Sequence, residues 1–253
     1  MSATLTPAWR RAQRLLQAQA TPLVILIGAL GAITILMVRL RPEELSAALG
    51  AGLVVITVVG SVLLSSDRVA GDFRSGAVQL WLQKAGSPVR YYAARLGDSL
   101  LAGVILVSCM VLVTALGVLA TGSLDPSPFL QVLPRMLLTM LLVSSISFGL
   151  SGWLNRGAGL GAFAVFATGL LLERDLEFYH GDIWGSVGTP LIQALLFPES
   201  SLIHVYAFAS GEAAPVGFAL LRVMAYATAW VGLGLWGVRR GVASQRMAAA
   251  QGE

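Results

Sequence analysis

The chain has 253 residues, of which 56% are hydrophobic and 12% charged, with a net charge of +4. Soluble domains carry about 25% charged residues, so this balance, with a mean hydropathy of +0.77, excludes an ordinary soluble enzyme or nucleic-acid module and implies a polytopic membrane protein. A single cysteine, Cys109, excludes an intrachain disulfide framework and a cysteine-built metal site.

Crossing about 30 Å of hydrocarbon takes roughly 20 apolar helical residues. Six stretches approach that length: 22–38, 45–65, 97–120, 130–154, 157–172 and 215–238. The ten-residue apolar/polar alternation of a membrane β-barrel is missing from the sequence. The expected fold class is therefore all-α, a single transmembrane domain over 1–253 with six spans, a cytoplasmic amphipathic helix, and outer re-entrant or interfacial helices between spans five and six. Residues 1–21 hold Arg10, Arg11 and Arg14 without a clear small-residue cleavage site, so the first span reads as a retained helix and not a signal peptide.

Six spans put both termini on one side, together with the loops 66–96 and 155–156. That side holds Arg10, Arg11, Arg14, Arg68, Arg74, Lys84, Arg90, Arg95, Arg156, Arg239, Arg240 and Arg246, whereas the other has Arg39, Arg41 and Arg174. The positive-inside rule makes the basic side cytoplasmic. These cations are spread along one leaflet boundary and form no patch with stacking aromatics, so nucleic acid is not an expected partner; membrane lipid is.

Between the second and third spans lies GDFRSGAVQLWLQKAGSPVRYYAARL, residues 71–96. At about 100° per residue Phe73, Ala77, Leu80 and Trp81 share an apolar face, while Ser75, Gln79 and Gln83 line the opposite side. This pattern predicts an amphipathic helix along the inner surface. Ala85-Gly86 breaks it, and Ser87-Pro88 predicts a new helix start, with a capping residue followed by proline at the first helical position. Arg90 and Arg95 then fall at headgroup level, where Asp98 is expected to pair with one of them.

The run Gly71-Asp72-Phe73-Arg74-Ser75-Gly76, the apolar helix after it, Pro88-Val89-Arg90 and the basic Arg95 resemble the segment after the second span of ABC-2 type transporter permeases. In that family the segment is the coupling helix that fits a cleft on the ATP-binding subunit. The resemblance implies ATPase-subunit docking by Asp72, Phe73, Arg74, Gly76, Gln79, Gln83 and Lys84. It departs from the family form at Asp72, where glutamate is more usual, at Ala77-Val78 in place of Thr-Leu, and at Ala85-Gly86-Ser87, an apparent small insertion. The family also has six spans, cytoplasmic ends and a long outer connection between the last two, here 173–214. The resemblance further implies a partner ATP-binding cassette subunit that holds ATP and Mg, a second permease chain, identical or not, and residence in a plasma membrane, the bacterial inner membrane being the expected one. No cofactor is expected in the chain itself, which lacks a GxxxxGK[ST] phosphate loop.

Within the outer connection, Leu191 to Phe197 and Leu202 to Phe208 are apolar runs too short to span, and so read as re-entrant or interfacial pieces. Arg135, one turn into the fourth span, and Arg222, about 10 Å along the sixth, are the candidate permeation-path residues. Each either lines a polar path or snorkels outward to pair with Glu199 or Glu212. His180 and His204 have no clear third ligand, so no metal is expected. Gly149-Leu150-Ser151-Gly152 has the GxSG form of an intramembrane serine protease, but no histidine lies in any span to serve as base; Ser151 reads as packing. Gly28 and Gly31, Gly157, Gly159 and Gly161, and Gly232, Gly234 and Gly237 offer close helix approach. Two rivals to the permease reading are an ion-gradient-driven transporter, which predicts acids near mid-bilayer, and a membrane scaffold without transport.

Overall fold

In the computed structural model the described residues are 2–25, 28, 45–66, 68–75, 87–121, 130–154, 156–176 and 197–251, and every regular element among them is an α-helix. In chain order these are α1 (Ser2–Ala18), α2 (Leu45–Ser65), α3 (Arg68–Arg74), α4 (Pro88–Thr121), α5 (Leu133–Ser151), α6 (Ala158–Leu176), α7 (Glu199–Ala209) and α8 (Val216–Gln251). Three of them contain stretches long and apolar enough to cross a membrane: Pro88–Leu116, Leu133–Ser151 and Val216–Ser244. They coincide with the expected spans 97–120, 130–154 and 215–238. The expected spans 45–65 and 157–172 fall on α2 and α6, whose apolar stretches Gly52–Ser65 and Ala158–Leu170 are shorter. Most of the expected first span, 22–38, lies outside the described residues, as does Leu191–Leu196 of the outer connection.

Local chemistry sets several boundaries. Pro88 opens α4 with Ser87 ahead of it, and the Arg90 amide donates to Ser87 Oγ at 3.5 Å, so the expected restart is where the helix begins. At 34 residues α4 is about 51 Å long, and the turns carrying Arg90, Arg95 and Asp98 therefore extend past the hydrocarbon. α5 has Pro134 in its first turn and stops at Gly152. Gly157, with φ +80, makes the turn into α6, and Gly211, with φ +88, follows α7; both backbones are left-handed, a conformation that only glycine adopts without strain.

α5 is the centre of the bundle and touches α2, α3, α4, α6, α7 and α8. Its apolar window is 61% buried, against 17% for that of α8. The outward face of α8 presents Phe218, Leu221, Met224 and Trp236 to the surroundings, as lipid contact requires. Gly60 meets Leu106, Gly103 meets Met140, and Ser99 Oγ donates to the Leu64 carbonyl at 3.1 Å, so α4 runs antiparallel to both α2 and α5. Gly159 meets Val62, Gly161 meets Leu150 and Gly169 meets Phe197, so α6 runs back toward α7. Gly152 lies against Gly234 while Arg135 and Arg222 both reach α7, so α5 and α8 are parallel. Directions thus alternate through α2, α4, α5, α6 and α8, counted in order.

The α5–α8 crossing is a contact of backbones. A Cβ built on Gly152 would lie 2.6 Å from the Gly234 carbonyl oxygen, and one on Gly237 would lie 2.5 Å from that of Gly152. Two G-x-x-G pairs, Gly149/Gly152 and Gly234/Gly237, create this approach, the usual device for joining helices when burial against lipid gives no driving force. Ser151 is 2% exposed and its Oγ donates to the Phe148 carbonyl at 3.0 Å, which gives the GxSG sequence a packing role. On α2, Thr57, Ser61 and Ser65 are satisfied in a similar way, each donating to the carbonyl four residues back.

Candidate functional site

Polar chemistry gathers at the two ends of the bundle. At one end α3 folds against the first turns of α4 and the last turns of α8. Val69, Tyr92, Leu96, Phe148, Val238 and Val242 form a buried apolar cluster there, and Phe73 closes it, its ring parallel to Tyr92 at 6.4 Å and in contact with Gly241. Asp72 lies 3.4 Å from Arg95 and receives a 3.5 Å contact from the Tyr91 hydroxyl. The Arg95 guanidinium stands 5.0 Å above the Tyr91 ring, a cation–π contact. Alongside, Arg11 of α1 donates to Asp98 of α4 at 2.7 Å. Trp153 and Trp236 pack edge to face at 4.9 Å, with Arg240 over Trp153, an amphipathic group suited to a membrane boundary.

At the other end α7 seals the bundle. Phe197, fully buried, enters between α6 and α7 over Gly169 and meets Phe166 edge to face at 5.0 Å; a side chain at residue 169 would fill its place. Leu202 belongs to the same apolar cluster, and Val205 one turn on is also buried. Arg135 of α5 pairs with Glu199, the first residue of α7, and Arg222 of α8 donates to Ser200 Oγ at 2.9 Å. The short helix is thereby tied to both parallel helices through adjacent residues.

The structure brings Arg135 and Arg222 together at α7 and places Asp72 and Phe73 together at the α3–α4 corner. Arg135 pairs with Glu199, one of the two partners that the snorkelling alternative offered. Asp98 differs from expectation: its partner is Arg11 and not Arg95 or Arg90, because α1 packs along α4 and brings a basic residue over it, while Arg95 turns back to Asp72. Phe73 also faces inward, against Tyr92, and not along the membrane surface. Arg74 ends α3, and Gly76, Gln79, Gln83 and Lys84 lie outside the described residues. Sequence reasoning missed Arg11, Tyr91 and Ser200, for which spacing along the chain carries no signal. No family model matches the chain, and no curated protein matches it.

Proposed function

We propose that the chain is the membrane-spanning permease subunit of an ATP-driven exporter of the ABC-2 type, one of two permease chains working with two ATP-binding subunits in a plasma membrane, with both termini cytoplasmic. The observation that carries this reading is the α3–α4 corner. The segment whose sequence resembles a coupling helix leaves α3 where Asp72 and Phe73 are bound to α4 and α8. A push on residues 76–84 would therefore pass into two membrane-length helices, with ATP and Mg held by the partner. The alternating helix directions support six spans. In this reading Arg135 and Arg222 border the outer mouth of the path and α7 is its cap. An ion-gradient mechanism is less well supported, since Asp98 and Glu199 lie at opposite ends of the bundle and the middles of α4, α5 and α8 carry no carboxylate.

The test is co-purification of the tagged chain with an ATP-binding subunit from its native membranes, with ATP hydrolysis measured on the product. Asp72 is engaged inside the fold, so Gly76→Trp is the cleaner probe of docking. It should weaken association by more than about tenfold, equivalent to about 1.4 kcal/mol, while the variant stays monodisperse. Full association and hydrolysis in this variant would reduce the helix to a surface anchor and favour the scaffold reading.

A further inference from the structure

Between α1 and the first turns of α4 lies an open cleft of about 180 Å³ lined by Arg11, Arg14, Leu15, Arg95, Asp98 and Ser99. Three guanidiniums face two carboxylates here, Asp98 in the cleft and Asp72 behind Arg95. Asp98 fixes Arg11, and Asp72 with the Tyr91 ring fixes Arg95, so neither cation has to be ordered on binding. Arg14 lies one turn beyond Arg11 on the same face of α1. It is exposed and makes no ion pair among the described residues. The cleft is thus a half-built anion site, with two positioned guanidiniums and a third without a counter-charge among the described residues.

We infer that this cleft binds a phosphate ester, and that its source is the headgroup of an anionic membrane lipid. Arginine forks suit phosphate oxygens, which they engage in pairs, and basic pockets between helices at the membrane surface are the usual seats for such headgroups. Position along α4 selects the lipid. Asp98 and Ser99 mark the last polar turn before the apolar run Leu100–Val107, and Leu15 forms the opposite wall, so a phosphate in the cleft has its acyl chains directed along apolar surface. Ser99 already donates to the Leu64 carbonyl, which leaves the arginines as the donors. A bound headgroup would bridge α1 to α4 and hold α1 at the surface. The inference rests on the placement of α4 in a membrane and is independent of ATP-driven export.

The experiment uses the full chain in a neutral detergent, without any ATP-binding subunit. Thermal unfolding is followed against dioctanoyl-phosphatidylglycerol, dioctanoyl-phosphatidylcholine and inorganic phosphate. The anionic phosphatidylglycerol should raise Tm in a saturable way, and phosphatidylcholine, with its compensating cation, should do so much less. Arg14→Gln should weaken the apparent affinity by about tenfold, the loss expected for one charge-assisted contact. Arg14→Lys should fall between, since it keeps the charge and loses the fork. Arg10→Gln makes the same charge change on the same helix outside the cleft and should behave as the unaltered protein. An equal, Arg14-dependent rise with inorganic phosphate alone would keep the anion site and assign it to free phosphate. The inference is overturned if no probe raises Tm, if Arg14→Gln binds as the parent does, or if Arg10→Gln loses as much as Arg14→Gln.

Discussion

At the α7 end Arg135 and Glu199 pair with side chains 25% and 9% exposed, whereas at the α1 end Arg11 and Asp98 pair with side chains 53% and 10% exposed. The acids are equally buried, so the two pairs differ in their arginines. Stripped of its acid, Arg11 turns into water, while Arg135 has little water to turn to and already keeps its Nε buried without an acceptor among the described residues. The same pair of residue types is therefore a buried structural tie at one end and a half-exposed, weakly stabilising contact at the other. In the proposed permease, that division would keep α7 seated while the opposite face meets lipid and the ATP-binding subunit.

The sharpest way to break this comparison is Glu199→Leu. It leaves Arg135 as an unpaired cation and should cost toward the lower end of the about 3–5 kcal/mol seen when one partner of a buried pair is removed, read as a fall in unfolding midpoint in detergent. The double variant Arg135→Met with Glu199→Leu should recover most of the loss, because it removes the stranded charge. An unchanged midpoint in Glu199→Leu would show that the α7 end is wetter than its burial implies. Gly237→Val comes next. If backbone contact and not charge holds the α1 end, a side chain pressed against the Gly152 carbonyl should cost about 1–3 kcal/mol, as overpacking does, and more than neutralising any ion pair there. A cost below that of Asp98→Asn would reverse this account of the crossing.

What the sequence made legible follows the range of the forces involved. Membrane-length helices and the Ser87-Pro88 start depend on hydropathy and capping within a few residues; the elements at 88–121 and 133–151 lie where those signals put them, and that at 216–251 begins where expected but runs past the expected end at 238. The partner of Arg135 was accessible because the topology places Glu199 at the same end. The partner of Asp98 was not, since Arg11 lies 87 residues away and only the packing of α1 on α4 selects it. Phe73 shows a limit peculiar to membranes. Lipid-facing and protein-facing surfaces are equally apolar, so a helical wheel finds the apolar face without revealing that Tyr92 and Gly241 cover it. Likewise Gly149 and Gly152 were visible as a motif, but the register that sets them on Trp230 and Gly234 exists only in three dimensions.

The smallest effect is expected from Asp98→Asn, and it discriminates most finely between the two ends. Asparagine keeps the shape and an acceptor for Arg11, and the freed guanidinium is already half in water, so the cost should stay under about 1 kcal/mol. Salt then separates the pairs. Raising ionic strength from about 0.01 M to about 1 M shortens the screening length from about 30 Å to about 3 Å. In neutral detergent without added lipid, that change should abolish the difference between Asp98→Asn and the parent, because Arg11 reaches its acid through solvent. The deficit of Glu199→Leu should persist, because ions do not enter the space between α5 and α7. The measurement is the unfolding midpoint of parent and both variants across a salt series. Parallel loss of both deficits would mean that Arg135 is as hydrated as Arg11, and persistence of both would mean that α1 seals Asp98 away from water more tightly than the exposure of Arg11 indicates.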